Sequence, residues 1–292
     1  MALPQFMSEP FANASVPAFQ CPPGTKMHIL DLGTLRADEG WILQGANGCS
    51  QSDPNPPRKT RDLVVLSALI EHAHFGLILF ETGCAENLEI AWGTPYTDVF
   101  PRIEYTEDHK LPAAIKATGN DIKDVKAVIM GHLHIDHAGG LEHFLGTDVP
   151  IYVHEDEFKH ACWAVATGAD LGTYLGHYMQ LEKLNWQTFN ESQVDLCQGI
   201  TLHHCPGHTP GLVVMQVNLA RDGTFIWTTD QFHVEENYHL SQPHGWLARD
   251  VVEWVRSKNR IKRLQRNFDA HLIFGHDKTV AEMLKQRKKF FE

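Results

Sequence analysis

Gly131-His132-Leu133-His134-Ile135-Asp136-His137-Ala138-Gly139-Gly140 packs four metal-capable side chains into six positions, between a hydrophobic run and a diglycine. The run before it, Val125-Lys126-Ala127-Val128-Ile129-Met130, has the β-branched content and the length of a buried strand. The motif therefore sits at a strand end, where open α/β sheets keep their chemistry. His132 and His134 are separated by one residue, and an extended backbone points both imidazoles to the same side. Asp136 and His137 begin a turn into a helix, where adjacent side chains diverge, so this pair does not readily share the first pair's coordination sphere. Two ions side by side would use all four groups. A structural zinc is usually closed by cysteines, whereas histidine with carboxylate suits a catalytic centre that keeps a place for water or substrate. A histidine-rich surface turn accounts for an isolated His-x-His far better than for this complete pattern.

His132, His134, Asp136 and His137 resemble the signature of the metallo-β-lactamase superfamily, and further motifs follow in matching order. Residues 200–205 read as a strand that runs into Pro206-Gly207-His208-Thr209-Pro210-Gly211, similar to the superfamily's third histidine motif, and the resemblance makes His208 a ligand. A hairpin over 212–217 and 224–228 ends at Thr229-Asp230, and Asp230 matches the family's bridging aspartate. The last strand, 271–274, leads to Gly275-His276-Asp277, which supplies the final histidine. Glu81-Thr82-Gly83 is similar to the strand-end Asp-Thr-Gly of the superfamily, with glutamate in the supporting acid's place. The resemblance implies an α/β fold, an αββα sandwich of two central mixed β-sheets flanked by helices. It also implies a dinuclear site, with His132, His134 and His208 on one ion, Asp136, His137 and His276 on the other, and Asp230 shared. The expected cofactor is two divalent metal ions, zinc first, although the same donors accept iron, manganese or cobalt.

Two dications a few ångströms apart hold a water between them and lower its pKa, so the expected reaction is hydrolysis by a bridging hydroxide. One ion also polarises the substrate carbonyl, and Asp136 can relay a proton to the departing oxygen. Within the superfamily, the motif order over roughly residues 27 to 285 looks most like the N-acyl homoserine lactone lactonases. Those enzymes carry a tyrosine three residues after the bridging aspartate, where this chain has His233. A neutral imidazole of the right tautomer can donate the same hydrogen bond to the lactone carbonyl. Tyr238 lies close enough in sequence to be a substitute. The expected substrate is thus a small molecule with a lactone ring. The alternative is a lactam or cyclic carbamate, whose leaving nitrogen demands protonation that His233 could supply. A glyoxalase II-type thioesterase would share the metal motif, but Lys285, Arg287, Lys288 and Lys289 read as a solvated helix face and not as a glutathione site. A non-catalytic metal-binding protein would be recognised by a missing ligand, and none is missing.

Composition bounds the rest. At 292 residues, 43% hydrophobic and 21% charged, the chain can bury a large core as one domain over 27–292. A net charge of −11 with histidine neutral opposes phosphate backbones and anionic membrane surfaces, so neither nucleic acid nor membrane is an expected partner. Six cysteines without CxxC spacing read as reduced thiols, and neither a leader nor a membrane-spanning run is apparent, so a cytoplasmic enzyme is expected. The family resemblance suggests a homodimer. Residues 1–26, with five prolines, read as an extended arm across the surface. Residues 45–57 are rich in breakers and read as a loop used for substrate contact, with a mobile hairpin as the alternative. The runs 63–70 and 76–80 suggest a hairpin, 111–119, 155–166 and 249–268 suggest helices, and the aromatic stretch 168–186 is a candidate pocket wall. His203 and His204 read as polar strand residues.

Overall fold

The computed structural model describes residues 20–94, 96–170 and 173–292. One sheet contains β1 (Lys26–Asp38), β2 (Thr60–His72), β3 (Gly76–Phe80), β4 (Arg102–Glu104), β5 (Val125–Ile129), β6 (Pro150–His154) and β7 (Asn185–Phe189), in the order β4-β1-β2-β3-β5-β6-β7. The other contains β8 (Gln193–Cys197), β9 (Ile200–His204), β10 (Val213–Leu219), β11 (Gly223–Trp227) and β12 (His271–Ile273), in the order β12-β11-β10-β9-β8. Both sheets are mixed: β3, β5, β6 and β7 run parallel beside the antiparallel β1 to β3, and β12 joins the antiparallel β8 to β11 in parallel. The helices are α1 (Leu88–Ala91), α2 (Tyr96–Val99), α3 (Leu111–Ala117), α4 (Glu155–Thr167), α5 (Glu235–His239), α6 (Val251–Phe268) and α7 (Lys278–Arg287).

Alternation along the strands sorts side chains into layers. On β2, Val64, Leu66, Ala68 and Ile70 share a core with Met215 and Val217 of β10 and Phe225 of β11, so the two sheets pack face to face. Leu63, Val65 and Leu69, pointing the other way, join Ile115 of α3 and Ala161 of α4. On the far side of the second sheet, Val214 and Ile226 meet Trp254 and Ile261 of α6. The layers are therefore helix, sheet, sheet, helix, the sandwich expected from the sequence. Every residue of β10 is buried because both of its faces are covered, one by a sheet and one by a helix.

The hairpin, the helices and the strands leading into the histidine motifs fall where hydrophobic periodicity places them. Strands β7 and β8 were not legible, since each lies at a sheet edge and alternates polar residues on its open side. The arm reading falls mainly on residues 1–19, outside the described residues. What is described of it does not lie free: Cys21 is buried and its N–H donates to the Asn218 carbonyl at 2.7 Å. Residues 45–57 form neither strand nor helix, but Gly45 to Gly48 line an open pocket with Gly245 and Trp246, apart from the histidine- and aspartate-floored pocket described below. No helix among the described residues is long and apolar enough to cross a membrane.

The inter-sheet core gives the first prediction. Phe80 is fully buried and meets Trp227 of the opposite sheet edge to face, with centroids 6.3 Å apart. Replacing it with alanine should cost about 3–5 kcal/mol of unfolding free energy, read from the denaturant midpoint at unchanged slope. A loss below about 1 kcal/mol would show that the two sheets do not close on each other here.

Candidate metal centre

The C-terminal ends of five strands converge at one rim of the sandwich. Glu81 follows β3, the 131–137 motif follows β5, His208 lies four residues past β9, Asp230 follows β11 and His276 follows β12. A buried strand ending in a turn is the local rule that delivers each of them. Two glycines admit the close approach. A Cβ at Gly131 would lie 2.2 Å from Glu81 Oε1, and one at Gly275 would lie 2.5 Å from Asp230 Oδ1. Glu81 and Thr229 have positive φ, 64° and 41°, in residues that rarely adopt it. Such outliers cost on the order of 1–3 kcal/mol each and tend to collect at functional sites.

The seven ligand candidates fall into two groups that share Asp230. His208 Nε2 lies 3.0 Å from His134 Nδ1, while Asp230 Oδ2 lies 3.4 Å from His208 Nε2 and 3.7 Å from His132 Nε2. On the other side His137 Nε2 and His276 Nε2 are 3.3 Å apart, with Asp230 Oδ1 at 3.2 and 3.0 Å from them. Asp136 completes that group, its oxygens 3.7 Å from His137 Nε2 and 3.5 Å from His276 Nε2. A tetrahedral cation with bonds of about 2.0–2.1 Å separates its donors by about 3.3 Å. Both groups have that span, and each oxygen of Asp230 faces one of them.

The donor chemistry fits a cation as well as the spacing does. His137 Nδ1 lies 3.1 Å from a Glu81 oxygen and His276 Nδ1 lies 2.9 Å from the Val64 carbonyl, acceptors that each require the ring to donate there. In the neutral rings both Nε2 lone pairs then face each other across 3.3 Å, an arrangement that calls for a positive charge between them. Glu81 also accepts the Gly131 N–H at 2.9 Å, so the longer acid takes up the supporting role expected of the family's aspartate. His132 Nε2 and Asp230 Oδ1 are buried with no hydrogen-bond partner among the described residues.

Electrostatics divides the two groups. Burial pushes His132 and His208 well below the ordinary histidine range and His134 down to about 3, so these imidazoles stay unprotonated. Burial would lower His137 and His276 too, but the Asp230 and Asp136 carboxylates more than offset it and raise both. Burial would raise Asp230, yet the imidazoles of His276, His137 and His233 hold its carboxyl well below the usual range. Protons on the second group thus do provisionally what a dication would do permanently.

The remaining sequence candidates separate. His233 is buried beside the centre, with Nε2 3.2 Å from Asp230 Oδ2 but off line for a hydrogen bond, and it lines the cavity. Tyr238 is not brought to the centre: its ring packs on Phe232 and Phe274 and its hydroxyl donates to Gln265. The reason is helical direction, since α5 turns Tyr238 toward α6. His203 and His204 stay on β9, bonded to Gln216 and to the Pro210 carbonyl. Sequence reasoning missed His244. Its Nε2 lies 3.1 Å from the Gln231 carbonyl, so it donates there, and its Nδ1 is then the acceptor for His208 Nδ1 at 3.3 Å. This fixes the tautomer that turns His208 Nε2 toward the first group. Above the centre lies a narrow pocket walled by Leu35, Ile42, Leu63, Trp92, Phe100 and Leu247, with Asp136, Asp230, His233 and His276 at its floor. Among the described residues of the aromatic stretch only Thr173 lines it; Tyr174 and Tyr178 are buried behind.

Comparison with known proteins agrees with this geometry. Residues 60–276 match the metallo-beta-lactamase superfamily, and the chain belongs to it. It is 26% identical over 279 residues to the N-acyl homoserine lactonase AiiB of Agrobacterium fabrum, covering 92% of this chain and 100% of that protein. It is 27% identical over 229 residues to the N-acyl homoserine lactonase AiiA of Bacillus thuringiensis subsp. kurstaki, covering 76% of this chain and 84% of that one. Among solved structures, an N-acyl homoserine lactone hydrolase with N-hexanoyl-L-homoserine bound at its catalytic metal centre superposes with a TM-score of 0.72 at 25% identity, over 89% of this chain and 95% of the other.

Two predictions follow from the donor set. Because His137 and His276 must release protons to bind a cation, zinc affinity should rise with pH, by about tenfold for each proton released per pH unit. Chelator competition at pH 5.5, 6.5 and 7.5 measures it, and a flat profile would place the cation elsewhere. Removing the acceptor with His244→Ala should weaken zinc binding about ten- to hundredfold in the same assay, whereas unchanged affinity would make His244 a packing residue.

Proposed function

We propose that the chain is a lactonase, a hydrolase that opens the ring of an N-acyl homoserine lactone or a close relative of it. The observation that carries the reading is the convergence of seven candidate ligand side chains, in two groups that both contact Asp230, at the base of an apolar-walled pocket lined by His134, Asp136, Asp230 and His276. His132, His134, His208 and Asp230 would hold one divalent cation and Asp136, His137, His276 and Asp230 the other, zinc being the first choice. When bound, the pair supplies a water of lowered pKa and a Lewis acid for the carbonyl.

The chain's own residues do the rest. The apolar wall excludes bulk water and takes the hydrocarbon part of the substrate, whose burial contributes roughly 25 cal/mol per Å². His233 projects into the cavity with both ring nitrogens free of hydrogen-bond partners among the described residues, so it is available to donate to the ring carbonyl. Asp136, the most exposed carboxylate of the centre, is placed to carry a proton to the departing oxygen. The six cysteines are free thiols, which supports a reducing, cytoplasmic setting.

One observation favours a second reading. Where related lactonases present a phenol, His233 presents an imidazole, which can protonate a leaving nitrogen as well as donate to a carbonyl. A lactam or cyclic carbamate would use that ability. Steady-state kinetics of the zinc-loaded protein on N-hexanoyl-homoserine lactone and on a lactam of matched size separates the two. The lactonase reading expects the larger kcat/KM for the lactone, and a drop of about a hundredfold in His233→Ala with partial recovery in His233→Tyr. A metal-replete protein that opens the lactam and leaves the lactone intact gives the case to the second reading.

A further inference from the structure

Outside the ligand set, one buried carboxylate touches both backbones that supply the first metal group. Glu157 is the third residue of α4 and is fully buried. Its Oε1 accepts the Leu133 N–H at 2.8 Å and the Tyr174 hydroxyl at 3.0 Å, and its Oε2 accepts the Gly211 N–H at 3.2 Å. Leu133 stands between His132 and His134, and Gly211 closes the turn that carries His208. The first segment leaves β5 in one sheet and the second leaves β9 in the other. A single side chain thereby spans the gap between the sheets at the point where three imidazoles must meet.

The surroundings make this a fixed clasp. A Cβ at Gly211 would lie 2.1 Å from the Glu157 backbone nitrogen, so the start of α4 is seated directly on the His208 turn. The Leu133 peptide is held from its other side as well, because Tyr178 donates to its carbonyl at 2.7 Å. Tyr174, which donates to Glu157, lays its ring edge-on to His134 with centroids 4.9 Å apart. The second group is held by other means, His137 by Glu81 and His276 by the Val64 carbonyl.

We infer that Glu157 is a positioning residue for the first cation, setting the distance between the His132/His134 segment and the His208 turn through two backbone N–H groups. The inference rests on the two-cation reading above. Its consequence is that α4, which carries none of the ligands, is part of the metal centre, and that the two cation positions respond differently to changes in it.

Glu157→Gln preserves size but exchanges one acceptor oxygen for a donor, which sets N–H against N–H at one of these contacts. Zinc titration of the metal-free protein against a chromogenic chelator reads both binding constants, and His276→Ala identifies the constant of the second group. The expected result is that Glu157→Gln weakens the first-group constant about ten- to hundredfold while the second stays within about threefold. Tyr174→Phe, which removes one donor and keeps the carboxylate, should weaken the same constant to a smaller degree. Equal weakening of both constants alongside a falling Tm, or no change in either, would reduce Glu157 to a core residue. If Glu157→Gln does not fold, Tyr174→Phe decides by the same criterion. A wild-type protein that binds one ion defeats the two-cation reading; the inference about Glu157 then stands or falls on whether that single constant weakens.

Discussion

The buried carboxylate of Asp230 is the constraint around which this molecule is arranged. It is 2% exposed, and imidazole nitrogens of His132, His137, His208, His233 and His276 lie 3.0–3.7 Å from its oxygens. A carboxylate in such a place costs several kcal/mol unless positive charge compensates it. Protonated His137 and His276 can do so in part, but only by giving up the lone pairs with which they would bind a cation. Two cations would resolve the conflict, since they would compensate the carboxylate and leave every ring neutral. The strained Thr229 beside Asp230, and Gly275 with no Cβ to collide with it, show that the backbone is bent to admit this one group.

Stability and chemistry are assigned to different parts of the sandwich. The apolar faces of the two sheets fill the space between them. The rim is polar, and behind its candidate ligands lie hydrogen-bonded groups: Glu81 under His137, Glu157 between the two histidine segments, His244 behind His208. Each is nearly or fully buried, and each makes its contacts with hydrogen-bonding geometry. The centre is therefore supported from both sheets and from α4, which is why side chains more than a hundred residues apart in sequence, such as His137 and His276, come within 3.3 Å.

What could be read in the sequence was the part that chemistry restricts. His132, His134, Asp136 and His137 need fixed residue types at fixed spacing after a strand, and Pro206 to Gly211 and Gly275-His276 repeat the pattern of a buried run ending in a turn. Glu81 was legible for the same reason. His244 was not, because Pro243-His244-Gly245 follows no strand and its partner His208 is 36 residues away. Glu157 was hidden in an ordinary helix, where a glutamate in the first turn looks solvated. Tyr238 misled in the opposite direction: nearness in sequence to Asp230 does not survive the turn of α5, which aims its ring at α6. The edge strands β7 and β8 escaped because their open faces carry polar residues and their pairing is decided by partners the local sequence does not name.

The most direct measurement is anomalous diffraction at the zinc edge from crystals of the zinc-loaded protein. The account expects two peaks about 3.5–4 Å apart, one among His132, His134 and His208, the other among Asp136, His137 and His276, with Asp230 reaching both. A single peak, or two peaks that do not share Asp230, would contradict it.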